Sequence, residues 1–194
     1  MTRPKASTSP AVLRPRDFVA DGLPRERLYE MVRKGDLVRV GRGLYTHPNA
    51  GMSALRSLAE AAKVAPNAVV CLLTALRFHD LTTQSPSEVW LAVENKAWRP
   101  RVASVAVRFV YMSGEAFTAG LEVHQIDGVA VQVYSAAKTV ADCFKFRHKI
   151  GIDVAIEALR DYLRRHRGGA DELWKYAKVC RVARVMRPYL EAVS

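Results

Sequence analysis

The sequence predicts an α+β protein in two parts, and three observations carry that prediction. Residues 22–47, GLPRERLYEMVRKGDLVRVGRGLYTH, read as a helix followed at once by a tight β-hairpin. Between Glu88 and Tyr134 the apolar residues recur with the period of two that marks strands, and from Ser135 onward they recur at helical spacing. Charge divides the chain in a similar way. Of its 194 residues, the first fifty hold ten Lys/Arg against five Asp/Glu, residues 51–134 hold seven of each, and residues 135–194 hold thirteen against seven. The middle is neutral and both ends are cationic. A net charge of +11 points to a polyanionic partner.

Taken in order, residues 1–12 are rich in Pro, Ser, Thr and basic side chains and are expected to form a loose arm. Such an arm either reaches along DNA phosphates or has no role in binding. Pro15 opens a short helix over Arg16 to Asp21, with Phe18 and Val19 facing inward, and Gly22-Leu23 turns the chain. Pro24 suits the first position of the next helix, where a missing N–H costs nothing. Leu28, Met31 and Val32 form its buried face, Glu26, Tyr29, Glu30 and Arg33 its polar face, and Gly35 ends it. Leu37–Val40 and Leu44–Thr46 are two strands joined through Gly41-Arg42-Gly43.

Helix, turn, helix and cationic hairpin make the outline of a winged helix-turn-helix over residues 13–48, and that outline implies DNA binding. A recognition helix needs side chains that reach base edges, and a wing needs cations near phosphates or the minor groove. Arg25, Arg27, Tyr29, Arg33 and Lys34 meet the first need; Arg39 and Arg42 meet the second. The glycines beside Arg42 allow a close approach to a groove. Glu26 and Glu30 oppose phosphate on the same face unless they read cytosine or pair internally.

Pro48-Asn49-Ala50-Gly51 breaks the chain, and an α+β domain over residues 52–194 follows. Ser53 caps a helix to about Ala65, with Leu55, Leu58, Ala59 and Ala62 inward and Glu60 in the polar stripe. Val69–Cys71 is a strand or a helix entrance, and Leu72–His79 is helical. Glu88–Val93 alternates Val89, Leu91 and Val93 against Trp90 and Ala92. A basic loop around Trp98-Arg99-Pro100-Arg101 leads to Val105–Tyr111, and Leu121–Ile126 and Val129–Tyr134 flank the hairpin signal Asp127-Gly128. These runs predict a small, mostly antiparallel sheet. Ser135 caps the first of several covering helices, with Val140, Cys143, Phe144 and Phe146 on its buried side. Asp153 caps the next, with Val154, Ala155, Ala158, Leu159 and Tyr162 inward, and Asp171 starts a third.

Other constellations are weaker. Ser135 and Lys138 have the S-x-x-K spacing of serine acyl enzymes, yet the companion elements are missing and a helix cap explains Ser135 more simply. Gly41-Arg42-Gly43 is not a dinucleotide fingerprint, because no helix follows. Asp142, one turn after Lys138, is expected to pair with it. His47, His79, His124, His148 and His166 are scattered without partners at motif spacing, and Cys71, Cys143 and Cys180 lack metal-ligand spacing. Neither a catalytic residue nor a cofactor or metal site is therefore expected. The basic helical end, from Lys145 to Arg187, is either a solvated face or a second surface for nucleic acid or an acidic protein. The start MTRPKASTSP has no apolar core for a signal peptide, and the charge-free run near Val64–Leu76 is too short to span a bilayer. A cytoplasmic location is the expectation.

Four segments, GLPRERLYEMVRKGDLVRVGRGLY, VCLLTALRFHDLTTQSPSEVWLAV, VYSAAKTVADCFKFRHKIGIDVAIEALRDYL and ELWKYAKVCRVARVMRPYLEA, together resemble the AbiEi family. Its members are antitoxins and transcriptional autoregulators of type IV toxin–antitoxin systems. The resemblance implies a non-enzymatic protein whose winged helix binds inverted repeats in its own promoter, an arrangement suited to paired copies on DNA. It implies a C-terminal domain that counteracts a nucleotidyltransferase-like toxin without a stable complex. It also implies DNA contacts at Arg25, Arg27, Tyr29, Arg33, Arg39 and Arg42. The proline-rich arm stands where the family has a further helix before Pro15. Two other readings stay open: an enzyme that modifies the toxin or a nucleic acid through the C-terminal domain, and an interaction module without specific DNA binding.

Overall fold

The computed structural model describes residues 12–48, 55–97, 100, 102 and 104–193. The expected arm up to residue 11, the breaker cluster beyond Pro48, the Ser53 cap and Trp98, Arg99 and Arg101 of the basic loop lie outside the described residues. Contacts divide the chain into two units. The first extends to Pro66 and takes in Pro100–Val105 and His124–Val131; the remaining chain forms the second.

In the first unit, β1 (Val12–Leu13) leads into α1 (Pro15–Ala20) and α2 (Arg25–Lys34), followed by β2 (Val38–Gly41), β3 (Leu44–Thr46) and α3 (Arg56–Val64). The three strands form an antiparallel sheet of order β1-β3-β2, with Val12 opposite Thr46 and Leu13 opposite Tyr45. Val12, expected at the end of the loose arm, is therefore a fully buried strand residue. A two-residue strand is too short to show a period in sequence. Phe18 is buried as expected, but Val19 is 52% exposed, because a six-residue helix turns only one of two neighbouring positions to its core. Pro24 stands one place earlier than expected: its extended ψ of 148° makes it the N-cap of α2, which begins at Arg25.

At the start of α1 the Asp17 carboxylate accepts the Arg14 N–H at 2.9 Å and pairs with Lys63 of α3. Along α3, Leu58, Ala59 and Ala62 are buried as expected. Two positions differ. Glu60, expected in the polar stripe, is buried with Arg56 at 3.2 Å, while Leu55 is 38% exposed.

The second unit contains β4 (Val69–Val70), α4 (Leu72–Phe78), β5 (Val89–Glu94), β6 (Val107–Met112) and α5 (Glu115–Thr118). The boundary between the units runs through β7 (Leu121–Ile126) and β8 (Val129–Tyr134), and after them the second unit holds α6 (Ala136–Lys145), α7 (Arg147–Ile150), α8 (Ile152–Arg165), α9 (Ala170–Val179) and α10 (Ala183–Val193). β7 and β8 have the expected bounds, and Asp127 and Gly128 between them take φ of 49° and 73° as a primed turn requires.

The sheet order is β6-β5-β4-β8-β7. It is mixed rather than mostly antiparallel: β4–β5 is antiparallel, but β5–β6 and β4–β8 are parallel. The connection over residues 95–106 is long enough to bring the chain back for a parallel pairing, which strand patterning alone does not reveal. The alternation read along β5 does not separate a buried face from an exposed one. As an inner strand between β4 and β6 it has all of Val89, Trp90, Leu91, Ala92 and Val93 buried.

The core of this unit is organised by α6, which packs against α4, α8, α9 and α10. Every residue from Ala137 to Phe144 is buried, whereas Phe146 is only partly so. Ser135 caps the helix, its Oγ accepting the Lys138 N–H at 3.4 Å. The Lys138 Nζ donates to Asp142 Oδ2 at 2.6 Å, as the spacing predicts, and lies 4.1 Å from the centre of the Tyr134 ring. The Cys180 thiol donates to Asp142 Oδ1 at 3.2 Å. The cap and the ion pair thus give Ser135 and Lys138 each a structural role. In α8 all five residues expected inward are buried, but Gly151 rather than Asp153 holds the N-cap position. The one-turn helices α5 and α7 have no periodic signal in the sequence.

Burial holds the Asp142 carboxyl above its ordinary range, the Lys138 ammonium and Cys180 thiol offsetting part of the rise. K138M should cost about 3–5 kcal/mol in chemical denaturation by leaving a carboxylate buried without its partner. K138M/D142L should recover most of that loss; a double variant as unstable as the single one would show that the pair is not responsible. Burial also pushes the Cys180 thiol up to about 12 and holds the Cys71 and Cys143 thiols well above their ordinary range. A thiol reagent at about pH 8 should therefore leave the native protein unlabelled and react with all three cysteines after guanidinium unfolding.

Candidate nucleic-acid interface

The positions of α2 and the β2–β3 hairpin are set by a small core of Leu13, Phe18, Leu28, Leu37 and Tyr45, with Met31 and Val32 packed against it. Leu28, Met31 and Val32 share one stripe of α2, so helical spacing turns Glu26, Glu30 and Arg33 to the opposite side. Gly35 closes the helix in the left-handed conformation, its N–H bonded to carbonyls of the last turn. The imidazole Nδ1–H of His47 donates to the Asp36 carbonyl at 3.0 Å, fastening the end of the hairpin to the end of the helix. This role for His47 has no motif in the sequence, because it joins residues eleven apart, whereas Asp17 bonds Arg14 three residues before it and Lys63 far along the chain.

All seven candidate residues are exposed: Arg25, Arg27, Tyr29, Arg33 and Lys34 on α2, Arg39 on β2, and Arg42 in the turn. Tyr29 is 52% exposed, so its ring serves no core. The cations divide into two groups. Arg27 pairs with Glu30 at 3.2 Å, and the Arg39 Nε–H donates to the Gly41 carbonyl at 3.1 Å. Arg25, Arg33, Lys34 and Arg42 make no ion pair or hydrogen bond among the described residues. The pairing of Glu30 lessens the opposition that its charge offers to phosphate; Glu26 is left exposed on the same side.

At the hairpin tip, Gly41 opposes Leu44 across the two-residue turn Arg42-Gly43. The two glycines serve different ends. A Cβ on Gly41 would lie 3.1 Å from the Ser104 Cβ, so this glycine makes room for a neighbour inside the unit. Gly43 has open space around it, and what it supplies is its φ of +68°. The Arg42 side chain is thus carried out on a turn whose shape depends on Gly43.

Comparison with known proteins bears on this part of the chain. Residues 5–48 match a family model described as transcriptional regulator, AbiEi antitoxin. The AbiEi match takes in β1, α1, α2 and the hairpin and ends at Pro48. It also begins inside the proline-rich segment that precedes the described residues. No curated protein matches the chain. The described residues contain no helix long and apolar enough to cross a membrane. They also contain no cluster of three or more His, Cys, Asp or Glu suited to a metal ion.

G43A should weaken the hairpin selectively, because a Cβ in the left-handed region costs about 1–2 kcal/mol. Amide hydrogen exchange at Leu44 and Thr46 should accelerate accordingly, with exchange in α8 unchanged; unaltered exchange in the hairpin would show that the tip does not depend on Gly43.

Proposed function

We propose that this chain is the antitoxin of a type IV toxin–antitoxin system and represses its own operon. In this reading residues 13–48 act as a winged helix on promoter repeats, and residues 52–194 counteract a nucleotidyltransferase-like toxin without forming a stable complex with it. The observation that carries the DNA-binding part is a coincidence of two features. The AbiEi match falls on the helix and hairpin whose Arg25, Arg33, Lys34 and Arg42 are exposed and uncommitted among the described residues.

Arg25 stands in the first turn of α2, the end from which recognition helices address base edges, with Tyr29 one turn further on. Arg33 and Lys34 in the last turn and Arg42 on the hairpin suit phosphate contact, which supplies affinity and orientation more than sequence choice. Arg27 and Arg39 would each exchange an existing partner for phosphate, so their contributions are smaller. The basic charge of the first fifty residues supplies the long-range attraction.

Shift assays on the DNA upstream of its own gene test the repressor reading. Tighter binding there than to random DNA is expected, with affinity falling steeply as salt rises. R33A and R42A should each weaken binding and lower the salt slope by about one unit, the share of a single neutralised phosphate. Equal affinity for random DNA would sink the claim. Co-expression with the product of the adjacent gene tests the other half: relief of its toxicity by the full chain is the expected result.

A further inference from the structure

The second unit contains a cavity of about 600 Å³, and its lining includes Lys145, Lys178, Arg181, Glu115, Ala116 and Val179. Along the sequence these three cations are spread through the basic helical end, and the residues between them give no sign of a common site. The fold brings the end of α6, the end of α9 and the start of α5 around one concavity. We propose that this cavity binds a small phosphorylated ligand of nucleotide size carrying at least two phosphate charges.

Charge is the first argument. Three cations face one carboxylate, Glu115, and neither Lys178 nor Arg181 has an ion-pair partner among the described residues. Lys145 and Lys178 stand in the last turns of α6 and α9, where a cation also complements the helix dipole. That explanation does not extend to Arg181. The Arg181 N–H bonds to the Lys178 carbonyl at 3.0 Å and the Val182 N–H to the Ala177 carbonyl at 2.8 Å, a helix ending that ordinarily carries glycine at the left-handed position. Arg181 holds that position with φ of +59°. A strained backbone thus places Arg181 in the cavity lining, and its guanidinium is the side chain best matched to two phosphate oxygens at once.

Shape decides the size class. A concavity of about 600 Å³ lies within the range of small-molecule sites, whereas a polynucleotide backbone is followed by an extended cationic surface. Ala116 and Val179 add apolar lining for the rest of such a ligand, and the Glu115 carboxylate can accept from a hydroxyl or amino group.

Calorimetric titration of the full chain with ATP, inorganic triphosphate and, at matched ionic strength, sulfate tests the proposal. ATP and triphosphate should bind saturably with one site, and sulfate should not. K178A, at an exposed position, and R181G should each weaken binding about tenfold, the share of one charge-assisted hydrogen bond. R181G should at the same time raise the melting temperature, because glycine relieves the left-handed strain; this separates a failure to fold from a loss of binding. ATP binding without triphosphate binding would show that the base, not the phosphates, is recognised, and would overturn the assignment. So would equal heats with sulfate, unchanged affinity in R181G, or an oligonucleotide as the one probe weakened by K178A.

Discussion

The second unit depends on an ion pair that has no access to water. Lys138 and Asp142 are fully buried on one face of α6, and such a pair is tolerated only where every remaining donor and acceptor around it is satisfied. The surroundings meet that condition in detail. The Tyr134 ring lies over the ammonium, and the Tyr134 hydroxyl donates to the Phe117 carbonyl at 2.7 Å. The Tyr134 carbonyl accepts from His79 Nε2–H at 2.7 Å and from the Thr139 hydroxyl at 3.2 Å. The end of β8, the end of α4 and the α5–β7 junction are therefore held in register with α6 by polar contacts that nearby apolar packing keeps dry. Gly120 takes part too: a Cβ there would lie 2.8 Å from the Lys138 Cβ, and its carbonyl accepts the Ser135 N–H at 2.7 Å.

Although Arg56 and Lys63 of α3 are largely buried against carboxylates, the α2 helix and hairpin of the first unit are built on the opposite principle. The apolar cluster behind them is small, and their cations are exposed. Keeping them hydrated avoids the desolvation that makes the Lys138–Asp142 pair so demanding, and it leaves Arg33 and Arg42 available to an incoming anion. Order there comes from a few small devices: a strand pairing of two residues, the Asp17 carboxylate at the start of α1, and the His47 hydrogen bond. An element proposed to bind DNA can be this light because its backbone needs fixing only to the extent that helix and hairpin present their side chains together.

What was legible in the sequence follows from the same physics. Elements with a strong local signal were readable: α2 from its apolar stripe, β7 and β8 from alternation and the Asp-Gly turn, and the Lys138–Asp142 pair from its spacing. The exposure of the seven candidate interface residues was also readable, since polar and charged side chains outside an apolar stripe, or on a hairpin tip, face solvent by a local rule. Sheet direction was not, because residues 95–106 carry no sign of whether they cross over. Nor was the burial of Glu60, which Arg56 makes possible, or the strand at Val12, which exists through its pairing with β3. These features depend on a side-chain partner or on residues far apart in the chain, or they are too short to repeat.

The two cationic ends of the chain therefore call for different physical readings even though their composition is alike. Around α2 and the hairpin, the charge is carried outward on convex elements, and a ligand must be extended enough to touch several of them. Around Lys145, Lys178 and Arg181, the charge lines a concavity, and a ligand must be small enough to enter it. Lys178 and Arg181 are themselves exposed, so what distinguishes the second site is the convergence of its cations on one concavity rather than their burial. The polyanion binding proposed for the first site should thus be strongly salt-dependent. The anion binding proposed for the second should depend more on the placement of individual side chains. Arg181, held at φ of +59° where glycine would be easier, is the residue on which that distinction rests.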